Sequence, residues 1–278
     1  MKCRYCSADE KMSGEHIIPS FIYKFVNDSG LPNIGWNQRA NNIISAEFKV
    51  ADVCKGCNNG PLSDLDAYGQ KFLKSNGFLT QLFLKTTTDI YYDYNLLLRW
   101  LMKISYNAAT ACNDPNASVF NDYREFILTG SPAPHQNEVM LFIGLTSPLK
   151  LSGKLEENTN IVVSDDNLCA PFYVRITDNI PDFLSRNIIM RGLYFGSIFL
   201  HIAILKNPKI SKSFFKREAC NKANIKYIDP KSSGSTITTC GKNWVELSEV
   251  ATDIQYKTLG YDYIDKKINS LKIPKKKI

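Results

Sequence analysis

Two Cys-x2-Cys pairs, Cys3-Arg-Tyr-Cys6 and Cys54-Lys-Gly-Cys57, bracket the first fifth of the chain. Cysteines at this spacing pair as disulfides in an oxidising compartment. In a reducing one, two such knuckles offer four thiolates to one tetrahedral zinc ion. The opening residues include Lys2, Arg4, Asp9, Glu10 and Lys11 and lack the apolar core of a signal peptide, so a soluble, cytoplasmic protein is expected. Structural Zn2+ on Cys3, Cys6, Cys54 and Cys57 is therefore the leading expectation, with a redox pair as the alternative. Cys112, Cys169, Cys220 and Cys240 stand alone and read as small buried hydrophobes. An ordinary zinc ribbon leaves roughly 15–20 residues between its pairs. Here residues 7–53 intervene, so a folded segment must sit inside the clip.

That segment carries Ser13-Gly14-Glu15-His16-Ile17-Ile18-Pro19, and the second pair runs straight into Asn58-Asn59-Gly60-Pro61-Leu62. Phosphodiester hydrolysis needs a base for water and a cation to offset charge on the phosphoryl oxygens. His16, one of three histidines, is a base suited to neutral pH. A hard cation such as Mg2+ takes oxygen ligands and keeps several waters, and Glu15 and Asn58 offer a carboxylate and an amide carbonyl. Pro61 with Leu62, Leu65, Tyr68, Phe72 and Leu73 predicts a helix starting just after Gly60. The bland reading of each residue stays open: His16 as a turn histidine, Glu15 on the opposite strand face from His16, Asn58 and Asn59 as turn formers.

The order C-x2-C, E-H-I-I-P, V-C-x2-C-N-N resembles the HNH endonucleases, the ββα-metal or His-Me finger nucleases, in their four-cysteine zinc version. The resemblance covers about residues 1–75. It implies His16 as general base, Glu15 and Asn58 as ligands of Mg2+ or Mn2+, Asn59 as a further site residue, and 5′-phosphate and 3′-hydroxyl products. Two positions depart from the pattern. The Asn that orients the imidazole, nine positions before the last motif residue, is Lys49 here, with Asp52, Asn41 and Asn42 as stand-ins. The common Lys three residues after the motif is Pro61.

Past residue 75 the pattern changes. Gly77 and Thr86-Thr87-Thr88 interrupt the helical pattern. Asn95–Cys112 is predicted as an amphipathic helix through Leu97, Leu98, Leu101, Ile104, Ser105 and Ala108, and Val119–Leu128 as a shorter one. Gly130-Ser-Pro-Ala-Pro134-His135 reads as a boundary, with His135 inert. Beyond it come β-type runs at Val139–Leu145, Asn160–Val163, Phe172–Ile176, Gly192–Phe199 and His201–Leu205, with His201 buried.

The whole reads as an α+β chain: residues 1–75 a zinc-stapled ββα unit, 76–130 a helical connector, 131–278 a β-rich basic domain. The longest apolar run, Gly192–Leu205, is shorter than the roughly 20 residues a membrane helix needs, so no membrane span is expected.

The net charge of +7 is uneven. From Lys206 onward there are 16 basic and 7 acidic residues, leaving 18 basic and 20 acidic for the remainder. Fields of this sign attract polyanions. Lys212, Lys216, Arg217 and Lys222 are the candidate nucleic-acid contacts, and Lys266, Lys267, Lys272, Lys275, Lys276 and Lys277 form a basic tail. There is no P-loop, G-x-G-x-x-G or G-x-S-x-G.

The expected function is metal-dependent endonucleolytic cleavage of DNA, with RNA as an alternative substrate. A homodimer is expected if both strands are cut, and by fold analogy the setting is restriction or phage defence. The competing expectation is a non-catalytic zinc module that binds nucleic acid or a partner protein.

Overall fold

The computed structural model describes residues 1–30, 35–37, 42–44, 47–134, 138–152, 161–178, 187–206 and 211–247, with Gly260 and Lys266. Asn41, His135, Lys267, Lys272, Lys275, Lys276 and Lys277 lie outside the described residues, as does the side chain of Lys222.

The chain begins with a knuckle at Cys3–Cys6, whose turn closes with Ser7 at φ 63°. Strand β1 (Met12–His16) follows, then helix α1 (Ser20–Asp28) behind Pro19. The short strands β2 (Gly35–Asn37) and β3 (Asn42–Ile44) pair with each other. Strand β4 (Lys49–Cys54) returns antiparallel to β1 and ends in the second knuckle, where Lys55–Cys57 make a single helical turn, α2. A wide turn over Asn58–Leu62, kinked at Gly60, leads into α3 (Ser63–Ser75). Proline has no N–H to lose at a helix start, and the kink lets Pro61 open the new helix as its sequence position predicts.

Strand β5 (Thr87–Tyr91) precedes α4 (Tyr94–Ala111), the longest helix described. Asp93 caps α4, its side chain accepting the amide of Leu96 at 2.9 Å. A 3-10 turn (Ala117–Tyr123) and α5 (Arg124–Thr129) occupy the stretch expected as one short helix, and Gly130 ends it at φ 81°, the left-handed cap that glycine favours.

The remaining elements are β6 (Val139–Ser147), β7 (Leu149–Lys150), β8 (Leu168–Cys169), β9 (Val174–Asp178), β10 (Ile188–Phe195), β11 (Ile198–Leu205), α6 (Lys212–Ala223), β12 (Lys226–Tyr227) and β13 (Gly234–Asn243). Seven strands form a mixed sheet in the order β5-β13-β6-β11-β10-β9, with β12 added alongside β6. The pairings are antiparallel except β13 with β6.

Two expectations are corrected. The run Gly192–Leu205 divides at Gly196-Ser197 rather than after Phe199. Gly196, at φ 62°, takes the first turn position of a two-residue hairpin between β10 and β11. The connector is also not purely helical: the β-branched run Thr87–Tyr91 enters the sheet as β5, burying Ile90.

Strands β6, β10 and β11 are covered on both faces. One face belongs to a core that runs from Cys3 and Tyr5 through α3 and α4 to Ile237; the other packs Phe142, Met190 and Phe199 against Phe215 of α6. Helix α4 is the bridge between the halves. Its Trp100 stacks on Phe195 of β10 with ring centroids 5.2 Å apart. Gly69 of α3 comes so close to the same indole that a Cβ there would stand 2.1 Å from it.

Candidate functional site

The Sγ atoms of Cys3, Cys6, Cys54 and Cys57 all lie within 4.8 Å of one another. Cys3 is 3.9 Å from Cys57, and Cys6 is 3.7 Å from Cys54. A tetrahedral ion with Zn–S bonds of about 2.3 Å sets its sulfurs about 3.8 Å apart, so these donors fit zinc. The amide of Cys54 donates to Cys3 Sγ at 3.3 Å, and that of Cys57 to Cys54 Sγ at 3.4 Å. Burial raises the Cys3 thiol, but backbone amides of Cys54, Cys6 and Tyr5 outweigh it and bring it down to about 7. Burial and the neighbouring thiols push Cys57 well up, and burial raises Cys54 too. Four crowded thiols resist ionising together, and a divalent cation is the species that relieves the repulsion.

The knuckles dock on the β1/β4 pair. Arg4 clamps Asp52 of β4 with Nε 3.0 Å from Oδ2 and a second contact through its terminal nitrogen. Asp52 is thereby committed to Arg4 and is not the partner of His16. Along β1, Ser13 faces Val53 and Glu15 faces Val50, so β4 spends three steps against two. The bulge lies opposite Gly14 and separates the knuckle end of the strands from the His16 end.

Successive strand residues face opposite ways, and here the alternation separates Glu15 from His16. Glu15 is 2% exposed, with Oε1 2.6 Å from Lys103 Nζ and 3.3 Å from Asn107 Nδ2. Lys103 also reaches Asp66 Oδ2 at 2.7 Å. Burial pushes the Glu15 carboxyl up, against the pull of the Lys103 ammonium. Asn107 donates to the His16 carbonyl at 3.3 Å and accepts from Tyr5 OH at 2.8 Å. Glu15 is thus an interior residue fastening β1 to α3 and α4.

The side chain of His16 is partly open, and its Nε2 lies 2.8 Å from Glu47 Oε2. Lys49 Nζ approaches the same oxygen at 3.0 Å. The hydrogen bond with His16, followed by that with Lys49, holds the Glu47 carboxyl below its usual range. Glu47 was not legible as a site residue, because it belongs to no motif and lies 31 positions from His16. Asn58 is fastened to β1: Nδ2 donates to Ser13 Oγ at 2.9 Å and to the Gly14 carbonyl at 3.3 Å. Its carbonyl oxygen has no described hydrogen bond of its own. Gly14 precedes His16 by two residues, a spacing of about 7 Å along a strand. No described contact involves the side chain of Asn59.

Among the basic candidates, Lys216 Nζ sits 3.8 Å from the centroid of the Tyr227 ring and Lys212 Nζ 5.9 Å. Arg217 lies over the half-exposed Phe214 and 3.9 Å from Glu218. Tyr227 lines a cleft of about 530 Å³ together with Tyr92, Tyr94 and Lys231. That cleft opens at the start of α4, roughly 20 Å along the helix from Asn107 at about 1.5 Å per residue. No helix among the described residues is long and apolar enough to cross a membrane. No family model, curated protein or solved structure matches the chain.

Proposed function

We propose that this chain is a metal-dependent endonuclease of the HNH type that hydrolyses DNA phosphodiester bonds, with zinc as a structural ion. The observation that carries this reading is the attachment of Asn58 to β1 at Ser13 and Gly14, beside a four-cysteine cluster. It joins the two halves of the sequence pattern, the strand bearing a partly open histidine and the turn bearing an amide.

In this reading His16 takes the proton from the attacking water. Mg2+ or Mn2+, when bound, would offset phosphate charge. Asn58 supplies a carbonyl oxygen for it, and waters and the substrate complete a hard-cation shell. Glu15, paired with Lys103, does not fit as a ligand and is assigned the role of anchoring β1. The basic side chains of α6 flank the Tyr227 ring and suit a nucleic-acid backbone with stacked bases.

A second reading, a non-catalytic zinc module that binds nucleic acid or a partner, is favoured by the commitment of Glu15 to the interior. One assay separates the two. Supercoiled plasmid is incubated with the protein in EDTA, Mg2+ or Mn2+, beside His16→Ala, and an RNA substrate is run in parallel. Metal-dependent nicking that falls by about 100-fold or more in the variant supports the nuclease, since a positioned general base contributes roughly 10²–10⁴-fold. Retention of DNA without cleavage by either protein leaves the binding module.

A further inference from the structure

Resting on the reading of His16 as a base, we propose that Glu47 is its positioning residue. It fixes the imidazole through Nε2 and leaves Nδ1 as the lone pair that accepts a proton. A neutral imidazole has one N–H donor and one acceptor nitrogen, whereas an ionised carboxylate only accepts. The 2.8 Å contact between His16 Nε2 and Glu47 Oε2 therefore requires the hydrogen on Nε2.

Lys49 completes the arrangement. It stands directly across from His16 in the β1/β4 register, and its ammonium lies 3.0 Å from the oxygen that His16 uses. After the hydrogen bond from His16 itself, the cation further favours the ionised form of Glu47, the form that only accepts. Gly14 leaves room for the lysine stem, since a Cβ at that position would be 3.3 Å from Lys49 Cδ. The carboxylate is also held from behind. Phe48 donates its amide to Tyr23 OH at 2.9 Å, and its carbonyl accepts the amide of Ile17 at 2.9 Å. Helix α1 and the end of β1 thus pin the backbone on which Glu47 sits. By resemblance position 49 was expected to hold an orienting Asn, and a carboxylate two residues earlier, seated by the lysine, does that work instead.

Fold maintenance alone is a poor account of the pair. The side chains are 22% and 41% exposed, and ion pairs this open to water add little to stability. What such a contact does well is hold a ring in one orientation.

The test uses the full-length zinc-loaded protein and the variants Glu47→Ala and Glu47→Gln, with zinc content and thermal unfolding as controls. The first readout is the order of the His16 ring, from ¹³C relaxation of the imidazole carbons at a pH where it is neutral. Wild type and Glu47→Gln, whose amide oxygen still accepts, are expected to keep a rigid ring. Glu47→Ala is expected to fall to the order of a free surface histidine. The second readout is plasmid nicking, expected to drop about 10- to 100-fold in Glu47→Ala, by analogy with the cost of losing a partner that orients a metal-ligating histidine. A ring equally rigid in Glu47→Ala overturns the proposal. So does nicking at the wild-type rate in that variant. If wild type fails to cut while the ring still loses order in Glu47→Ala, the nuclease reading falls and the positioning role stands.

Discussion

The ammonium of Lys103 lies 2.6 Å from a carboxylate oxygen of Glu15, and both side chains are sealed from solvent at 0% and 3% exposure. They are 88 positions apart in sequence, on α4 and β1. Asp66 of α3 takes the other side of the same ammonium, so three elements meet on one buried charge. Removing Lys103 would strand Glu15 without solvent or counter-charge, whereas Asp66 keeps some exposure. Lys103→Met is therefore expected to destabilise the chain by about 3–5 kcal/mol. Chemical denaturation of wild type and variant measures this. A loss under 1 kcal/mol would mean that water reaches Glu15 and that the site is not closed as described.

Zinc removal should have a larger effect. Apparent zinc affinities of thiolate sites correspond to about 10–16 kcal/mol, which matches or exceeds the roughly 5–15 kcal/mol stability of a whole domain. Cys3, Cys54 and Cys57 belong to the core that continues through α4 to the sheet. Loss of the ion should accordingly unsettle more than the knuckles. Metal analysis is expected to give about one zinc per chain, and Cys54→Ala is expected to lose both the zinc and cooperative unfolding. A Cys54→Ala that keeps its zinc would refute the four-thiolate site, and a zinc-free Cys54→Ala with the melting curve of wild type would refute the structural role of the ion.

Sequence spacing exposed some of this architecture and concealed the rest for identifiable reasons. The paired cysteines and the α4 periodicity are local signals, and local signals survive into the fold. Asn95–Cys112 was expected as a helix and Tyr94–Ala111 is one. Glu15 shows the opposite case. The resemblance implied a metal-ligand role for it beside His16, while strand alternation already allowed it to face the other way; its partner, Lys103, comes from a distant helix and could not be read locally. Glu47 was invisible for the same reason, since its role arises only when β4 returns beside β1. The β10/β11 hairpin was misplaced because both strands are buried on both faces. A continuous apolar run has no alternation to show where it turns.

Asn58 gives a test that separates attachment from chemistry. Its amide nitrogen bonds to Ser13 Oγ and the Gly14 carbonyl, contacts worth about 1 kcal/mol each at most near the surface. Asn58→Ala should cost no more than about 2 kcal/mol and keep its zinc. If the carbonyl oxygen also holds the catalytic cation, nicking should fall far more than that small destabilisation explains, and higher Mn2+ should restore part of it. Unchanged nicking in a folded, zinc-loaded Asn58→Ala would remove Asn58 from the metal site.

Acid stability is expected to depend on a histidine inside the sheet. His201 sits in β11 between β6 and β10, 7% exposed, with its ring 5.5 Å from Phe199 and 6.1 Å from Tyr194. Burial pushes its pKa down from 6.5 to about 4. In the unfolded chain the imidazole takes a proton as pH falls through about 6.5, while the folded chain refuses it until about pH 4. Over that window the unfolded state binds more protons, so stability declines as pH is lowered. At about 1.4 kcal/mol per pH unit the contribution reaches at most about 3 kcal/mol. His201→Phe replaces the ring with one that cannot protonate. Denaturation midpoints measured from pH 7 to pH 4 should fall more gently for the variant than for wild type. Parallel pH profiles would show that His201 is charged or solvated in the folded protein, contrary to its place in the sheet.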